Sequence, residues 1–181
     1  MKAIVYIATT VDGFIARENG SVDWLPSGAE AGSEDYGYND FMNSIDALVM
    51  GRKTYEMVLS FGAWPYGDKP IIVLSSQQVA IPEHLLHTVS VLCASPSDVV
   101  DHLAELGYKN IYIDGGKTIQ GFINSDLVQK LIITKIPILI GSGIPLFGAL
   151  AHDIKLHHLE TLQFNNGFVQ SKYEILKNSV S

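Results

Sequence analysis

The chain has 181 residues, 47% hydrophobic and 17% charged, with a formal net charge of −7. That length and balance fit one domain with a sizeable core and exclude a disordered chain. Scattered acids and sparse cations exclude a nucleic-acid or anionic-membrane surface, so any anionic ligand needs a local positive cluster.

The opening run "MKAIVYIATTVDG" has one Lys, a short apolar stretch and no small-residue cleavage site. It reads as a first strand over 2–9, not as a leader. Asp12-Gly13 then marks a turn. From Gly20 to Gly37 glycine, serine and acids dominate, with Trp24 and Leu25 as apolar exceptions. A long irregular stretch of this kind is a candidate lid. A helix is expected over 34–44, with Tyr36, Tyr38 and Phe41 as a packing face. Strand 46–50 leads into a helix over 52–60, and strands follow at 70–75 and 88–93. Cys93 reads as a small buried core residue. As the single cysteine it has no internal disulfide partner, which favours a reducing, cytoplasmic setting.

"SPSDVVDHLAELG" predicts a helix over 96–106. Ser97 caps it, Asp98 suits the dipole, and Val99, Val100, Leu103 and Leu106 share one face. Strand 110–114 and helix 116–124 come next, then strand 127–140 in one or two pieces. "LIITKIPILIGSGIPLF" is interrupted by Lys135, Pro137 and glycines and does not read as a membrane span. His152, His157 and His158 lack the partners of a metal site and read as surface residues. Strands 154–164 and 168–176 flank "NNG", a hairpin turn. Strands alternating with helices predict a largely parallel α/β sheet that finishes antiparallel, as one domain over 1–181.

Three strand ends share one chemical logic. In "ALVMGRKTYEMV" a strand delivers Gly51, and Arg52, Lys53 and Thr54 sit at a helix N-terminus, where free N–H groups favour an anion. Cations there oppose the dipole unless an anion neutralises them, and Arg grips phosphate in two-pronged fashion. "IIVLSS" ends in the hydroxyl donors Ser75 and Ser76, beside Leu74. "IYIDGGKTIQGF" repeats the first arrangement with Gly115, Gly116, Lys117 and Thr118. Open α/β sheets bind ligands at this carboxyl edge. Two clusters, each with its own cation, suit a ligand with two phosphate groups, such as a nicotinamide dinucleotide bearing a 2′-phosphate. A G-x-G-x-x-G is absent, which turns the reading away from a Rossmann domain.

"AxxxDGFIA", "VMGRKTYE", "LSS" and "IDGGKTIQGF", in that order, resemble the dihydrofolate reductase superfamily. With "TKIPILIGSGIPLF" they are especially similar to the RibD C-terminal domain family, the reductase part of a bifunctional riboflavin-synthesis enzyme. The resemblance covers nearly the whole chain. It implies a dihydrofolate reductase-like three-layer α/β fold, with a mostly parallel central sheet flanked by helices and an antiparallel C-terminal hairpin.

It also implies an NADPH-dependent reductase. Arg52, Lys53, Thr54, Leu74, Ser75 and Ser76 would hold the 2′-phosphate end. Gly51 would let the cofactor approach, and Gly115 to Thr118 would wrap the pyrophosphate. Ala8, Ile15 and Ala16 would line the nicotinamide, Trp24 would close over the reacting ring, and Gly143 would lie near the cofactor. The family's spacing places the buried acid at Asp35, next to Glu34, with Thr134 in support. The implied substrate is a small pyrimidine or pterin: the ribosylaminouracil intermediate 5-amino-6-(5-phosphoribosylamino)uracil first, dihydrofolate or another pterin second. A non-catalytic NADP-binding protein is the alternative of another class. The strand near 136–147 and the C-terminal hairpin suggest a homodimer.

Overall fold

Apolar runs of four or five residues dictate the centre of the molecule. Ala47–Met50 and Ile111–Ile113 are buried at every position, the pattern of strands covered on both faces by helices. In the computed structural model, which describes residues 1–26 and 34–176, these runs lie in one eight-stranded sheet. Its strands are β1 (Lys2–Thr10), β3 (Ala47–Gly51), β4 (Ile71–Leu74), β5 (Val89–Leu92), β6 (Asn110–Asp114), β7 (Lys130–Ile136), β9 (Leu156–Gln163) and β10 (Val169–Ile175). Their order is β5-β4-β3-β6-β1-β7-β10-β9. The strands from β5 to β7 run parallel, and β10 and β9 close the sheet antiparallel. A ribbon of β2 (Phe14–Ala16) and β8 (Ile144–Pro145) stands apart.

Strand alternation sends successive side chains to opposite faces, and each face has its own helices. Leu48, Met50 and Tyr112 pack with Phe41 of α1 (Tyr38–Ser44) and Tyr55 of α2 (Arg52–Ser60). Val49, Ile111 and Ile113 pack with Val99 and Leu103 of α3 (Pro96–Glu105) and Ile119 and Phe122 of α4 (Gly116–Asn124). The expected three-layer arrangement is present. Among the described residues no helix is long and apolar enough to cross a membrane.

Several local expectations need correction. Helix α1 starts at Tyr38, not 34, because Tyr36 and Gly37 both take positive φ, at 56° and 79°. Ser95, not Ser97, caps α3. Its hydroxyl accepts from the Asp98 N–H in a reciprocal capping box, with Pro96 at the first turn. On the predicted apolar face of α3, Leu106 is exposed. Cys93 is exposed, not core. The run 127–140 is a single strand that stops before Pro137, and 136–147 is mostly loop. The ribbon β2–β8 has too few residues to show a period. Of the candidate lid, residues 27–33 lie outside the described residues.

Candidate active site

Strands β3 and β6 are neighbours, with Met50 opposite Asp114, so the N-termini of α2 and α4 emerge side by side. They interlock. A Cβ on Gly51 would stand 2.9 Å from the Thr118 hydroxyl oxygen, and one on Gly115 would collide with the Thr54 hydroxyl. Gly115 also holds φ at +89°, which a side chain opposes. The ribbon closes a third side. A Cβ on Gly116 would meet Ile15 at 3.0 Å and Ile144 at 3.1 Å, and one on Gly143 would strike the Ala16 carbonyl. Gly51, Thr54, Gly115, Gly116, Thr118, Ile15, Ala16 and Gly143 are thus brought together.

The electrostatics of this cradle favour an anion. Neither α2 nor α4 has a side-chain cap or an acid in its first turn, so backbone N–H groups remain open at both starts. Lys53 and Lys117 are exposed there. Arg52 bonds Glu56 at 3.1 Å, an exposed i,i+4 pair worth little and easily exchanged for a ligand. One strand outward, Leu74 lies opposite Gly51. Ser75 and Ser76 border a groove of ≈ 750 Å³ with Gln77, Val79 and Cys93. The Ser75 hydroxyl accepts from the Gln77 N–H and donates to the Gln77 carbonyl.

On the other side of the cradle Ala8 pairs with Thr134 and packs with Trp24, Ile136 and Phe168. Trp24 is buried, and its indole N–H has no partner among the described residues. Thr134 is buried but does not support an acid: its hydroxyl accepts from the Gln170 side chain at 3.1 Å. That amide also donates to the Tyr36 carbonyl and the Tyr6 hydroxyl.

Asp35 is not the buried acid expected at its position. It is exposed, and its carboxylate accepts from the Gly37 and Asn39 N–H groups at 2.9 and 3.1 Å. Those bonds hold its pKa below the usual range, so it stays ionised at the entrance to α1. Glu34 is exposed as well.

The acid that the sequence reading missed is Asp114. It ends β6 on the face of Tyr112 and is half-buried. Desolvation raises its pKa from 3.8 to about 6, against the lowering effect of the Gly115 N–H bond. Burial, and then the Asp114 charge, push the Tyr38 phenol up to about 12. The same two causes raise Tyr66 and Tyr112. Tyr38 meets Tyr6 edge-on with centroids 5.6 Å apart, and Phe41 stacks on Tyr6 at 4.8 Å. The expected packing face of α1 is present for Tyr38 and Phe41, which pack with Tyr6 in one core cluster, whereas Tyr36 packs with the Trp24 cluster instead. The signal in the sequence was an acid closing the buried run "IYID" directly before two glycines.

His152 contacts Asp126 at 3.4 Å and His158 contacts Thr161 at 2.7 Å. Among the described residues no cluster could hold a metal ion.

Comparison with known proteins places these features in a family. The model of the RibD C-terminal domain matches residues 1–170. The uncharacterized protein YwjB of Bacillus subtilis is 37% identical over 175 residues, covering 95% of this chain and 97% of its own. Dihydrofolate reductase HdrB of Haloferax volcanii is 26% identical over 118 residues, 64% of this chain and 56% of its own. A crystal structure from Shewanella sp. PV-4, named for riboflavin biosynthesis, superposes with a TM-score of 0.89 at 37% identity, over 98% of this chain and all (100%) of its own. The bifunctional deaminase and 5-amino-6-(5-phosphoribosylamino)uracil reductase of Thermotoga maritima shares the fold, with a TM-score of 0.73 at 14% identity. It covers 97% of this chain and 56% of its own.

Proposed function

Because this chain belongs to the RibD C-terminal domain family, we propose that it is an NADPH-dependent reductase of a small heterocycle. The observation that carries the reading is the interlocked pair of helix starts, where Gly51 lies against Thr118 and Gly115 against Thr54. A side chain at either glycine would fill the cradle, and the open N–H groups with Lys53 and Lys117 suit a diphosphate. Arg52, Ser75 and Ser76 lie farther out, where a 2′-phosphate would be held. Ala8, Ile15, Ala16 and Gly143 would flank the nicotinamide, which supplies a hydride when bound.

The chain's own residues supply the rest. Reduction of a C=N or C=O bond adds hydride to carbon and a proton to the heteroatom. Asp114, protonated below about pH 6, is the group placed to give that proton. Trp24 over Ala8 excludes water from the same side. The sequence motifs favour a ribosylaminouracil intermediate, with a pterin such as dihydrofolate as the second choice. Titration by intrinsic fluorescence tests the cofactor grip: NADPH should bind more tightly than NADH, and Arg52→Ala should narrow the difference. Equal affinity for both dinucleotides removes the 2′-phosphate role. Tight binding without turnover on pterins or pyrimidine ribitylamines favours a non-catalytic binder.

The same reading includes a homodimer. Every residue of the edge strand β9 is exposed, Leu156, Leu159 and Leu162 among them. Unpaired edges of this kind invite a partner strand. Sedimentation should return twice the chain mass, and a monomer rejects it.

A further inference from the structure

Two walls meet at the nicotinamide end of the proposed cofactor site, and one exposed side chain ties them together. The ribbon β2–β8 forms the first wall, with Ile15, Ala16 and Ile144 beside the cradle. The Trp24 cluster forms the second, with Ala8, Ile136 and Phe168. The loop after β7 runs between them, because the strand stops before Pro137 and residues 137–143 belong to no strand.

Asp12 holds that loop. Its carboxylate accepts from the Ile140 N–H at 3.2 Å and the Gly141 N–H at 2.8 Å. Gly141 takes φ +76°, a bend suited to aiming two successive N–H groups at one anion. An acid that merely closes a turn bonds its own neighbours. Asp12 reaches N–H groups 128 and 129 residues away in the chain. The turn that carries it is braced in its own right. Thr10 is buried, and its hydroxyl bonds the Asp12 carboxylate while accepting from the Phe14 N–H at 3.0 Å. The Thr10 bond first, and the backbone bonds behind it, hold the Asp12 pKa below the usual carboxylate range, so the anion persists at neutral pH.

Ile140 carries the effect inward. Its N–H is on Asp12, its side chain packs against the Trp24 cluster, and a Cβ on Gly143 would meet it at 3.2 Å. Gly143 in turn lies against the Ala16 carbonyl of the ribbon. The far end of the loop is pinned separately. The Gln120 amide of α4 donates to the Pro145 and Leu146 carbonyls at 3.0 and 3.3 Å, and the Leu146 N–H bonds the Gly13 carbonyl at 3.0 Å. Loss of the Asp12 contact would therefore loosen residues 138–143 and leave β8 attached.

Resting on the reductase reading, we propose that Asp12 is a positioning residue for the nicotinamide. Acting through Ile140 and Gly143, it sets the spacing between the β2–β8 ribbon and the Trp24 cluster. The grip on the phosphates and the adenosine end, made from α2, α4 and the end of β4, does not depend on it.

The test compares two ligands by calorimetry: NADP⁺, and adenosine 2′,5′-bisphosphate, which lacks the nicotinamide half. Asp12→Asn keeps the size and one acceptor but loses the charge and turns an amide group toward an N–H. It should bind NADP⁺ about tenfold more weakly and the bisphosphate within about twofold of the parent. Gly141→Ala, with nothing within 4 Å of the new Cβ but an opposed φ, loosens the same contact from the loop side. It should reproduce the split. Equal weakening of both ligands marks a general structural role and overturns the proposal, as does parent-like NADP⁺ binding in either variant. Amide hydrogen exchange of the ligand-free proteins is the second measurement. Residues 138–143 should exchange about tenfold faster in Asp12→Asn, with α3 unchanged. Exchange that is unchanged at 138–143, or faster throughout, overturns the proposal too. If the parent binds neither ligand, the reductase reading falls, while faster exchange confined to 138–143 still supports Asp12 as the clamp of this loop.

Discussion

Asp114→Asn separates a functional acid from a structural one, because the two make opposite demands on stability. The amide oxygen of Asn can still accept the Gly115 N–H, now bonded at 2.8 Å, so the turn into α4 keeps its hydrogen bond. What disappears is the cost of ionising a desolvated carboxyl. The folded chain holds this proton up to about pH 6, whereas the unfolded chain releases it near 3.8. Below 3.8 both states are protonated and there is no penalty. Between 3.8 and about 6 the folded state binds more protons, so its stability falls as pH rises. Above that window the penalty is complete, at roughly 3 kcal/mol. The variant should match the parent near pH 4 and exceed it at pH 8 by about 2–3 kcal/mol, or roughly 5–10 °C in Tm. Urea unfolding followed by circular dichroism at both pH values measures the gap. A gap that is the same at both, or an Asn variant less stable at pH 8, refutes the desolvated-acid assignment. Stability gained together with turnover lost is the signature of a residue kept for function.

The other predictions concern the cradle and its surroundings. Gly115→Ala should abolish NADPH binding and destabilise by about 2 kcal/mol or more, because it adds a clash with Thr54 to a strained φ. Gly62→Ala, also at positive φ but with nothing within 4 Å, should cost only about 1 kcal/mol by thermal melting and leave binding intact. Ser95→Ala should lose about 1 kcal/mol, and Ser97→Ala should fall within experimental error. Asp35→Asn should leave the pH profile of turnover unchanged; a displaced profile would restore Asp35 as the proton source.

Much of this architecture was legible in the sequence because periodicity and turn chemistry act locally. The runs at Ala47–Met50 and Ile111–Ile113 announce buried strands without help from distant residues, and "NNG" places the hairpin because Gly167 takes φ +86°. The two glycine clusters of the proposed cofactor cradle were legible for the same reason, as each lies at one strand end. What was missed depends on long-range partners. Asp35 and Asp114 are both acids beside a helix start. Only packing reveals that the first is exposed and bonded to its own turn while the second is half-buried beside tyrosines from α1, β6 and the loop after α2. Thr134 is similar: a strand position gives no hint that Gln170, 36 residues on, takes its hydroxyl. The Ser97 error was local and avoidable. A proline at 96 suits the first turn of a helix, which puts the cap one residue earlier.

The reciprocal contacts at the cradle have a consequence for symmetry. "GRKT" and "GGKT" are the same four-residue device used twice, with the first glycine of each against the threonine of the other. Their helices leave to opposite faces of the sheet. The contacts are therefore reciprocal about an axis along the strands, between β3 and β6, although the backbones differ, with Gly51 at φ −78° and Gly115 at φ 89°. A diphosphate is itself nearly symmetric about its bridging oxygen, so one pseudo-dyad can serve both. In the proposed complex the asymmetric remainder of the dinucleotide would be oriented by what differs on either side: serines and a groove toward β4, tyrosines and a carboxyl toward β1.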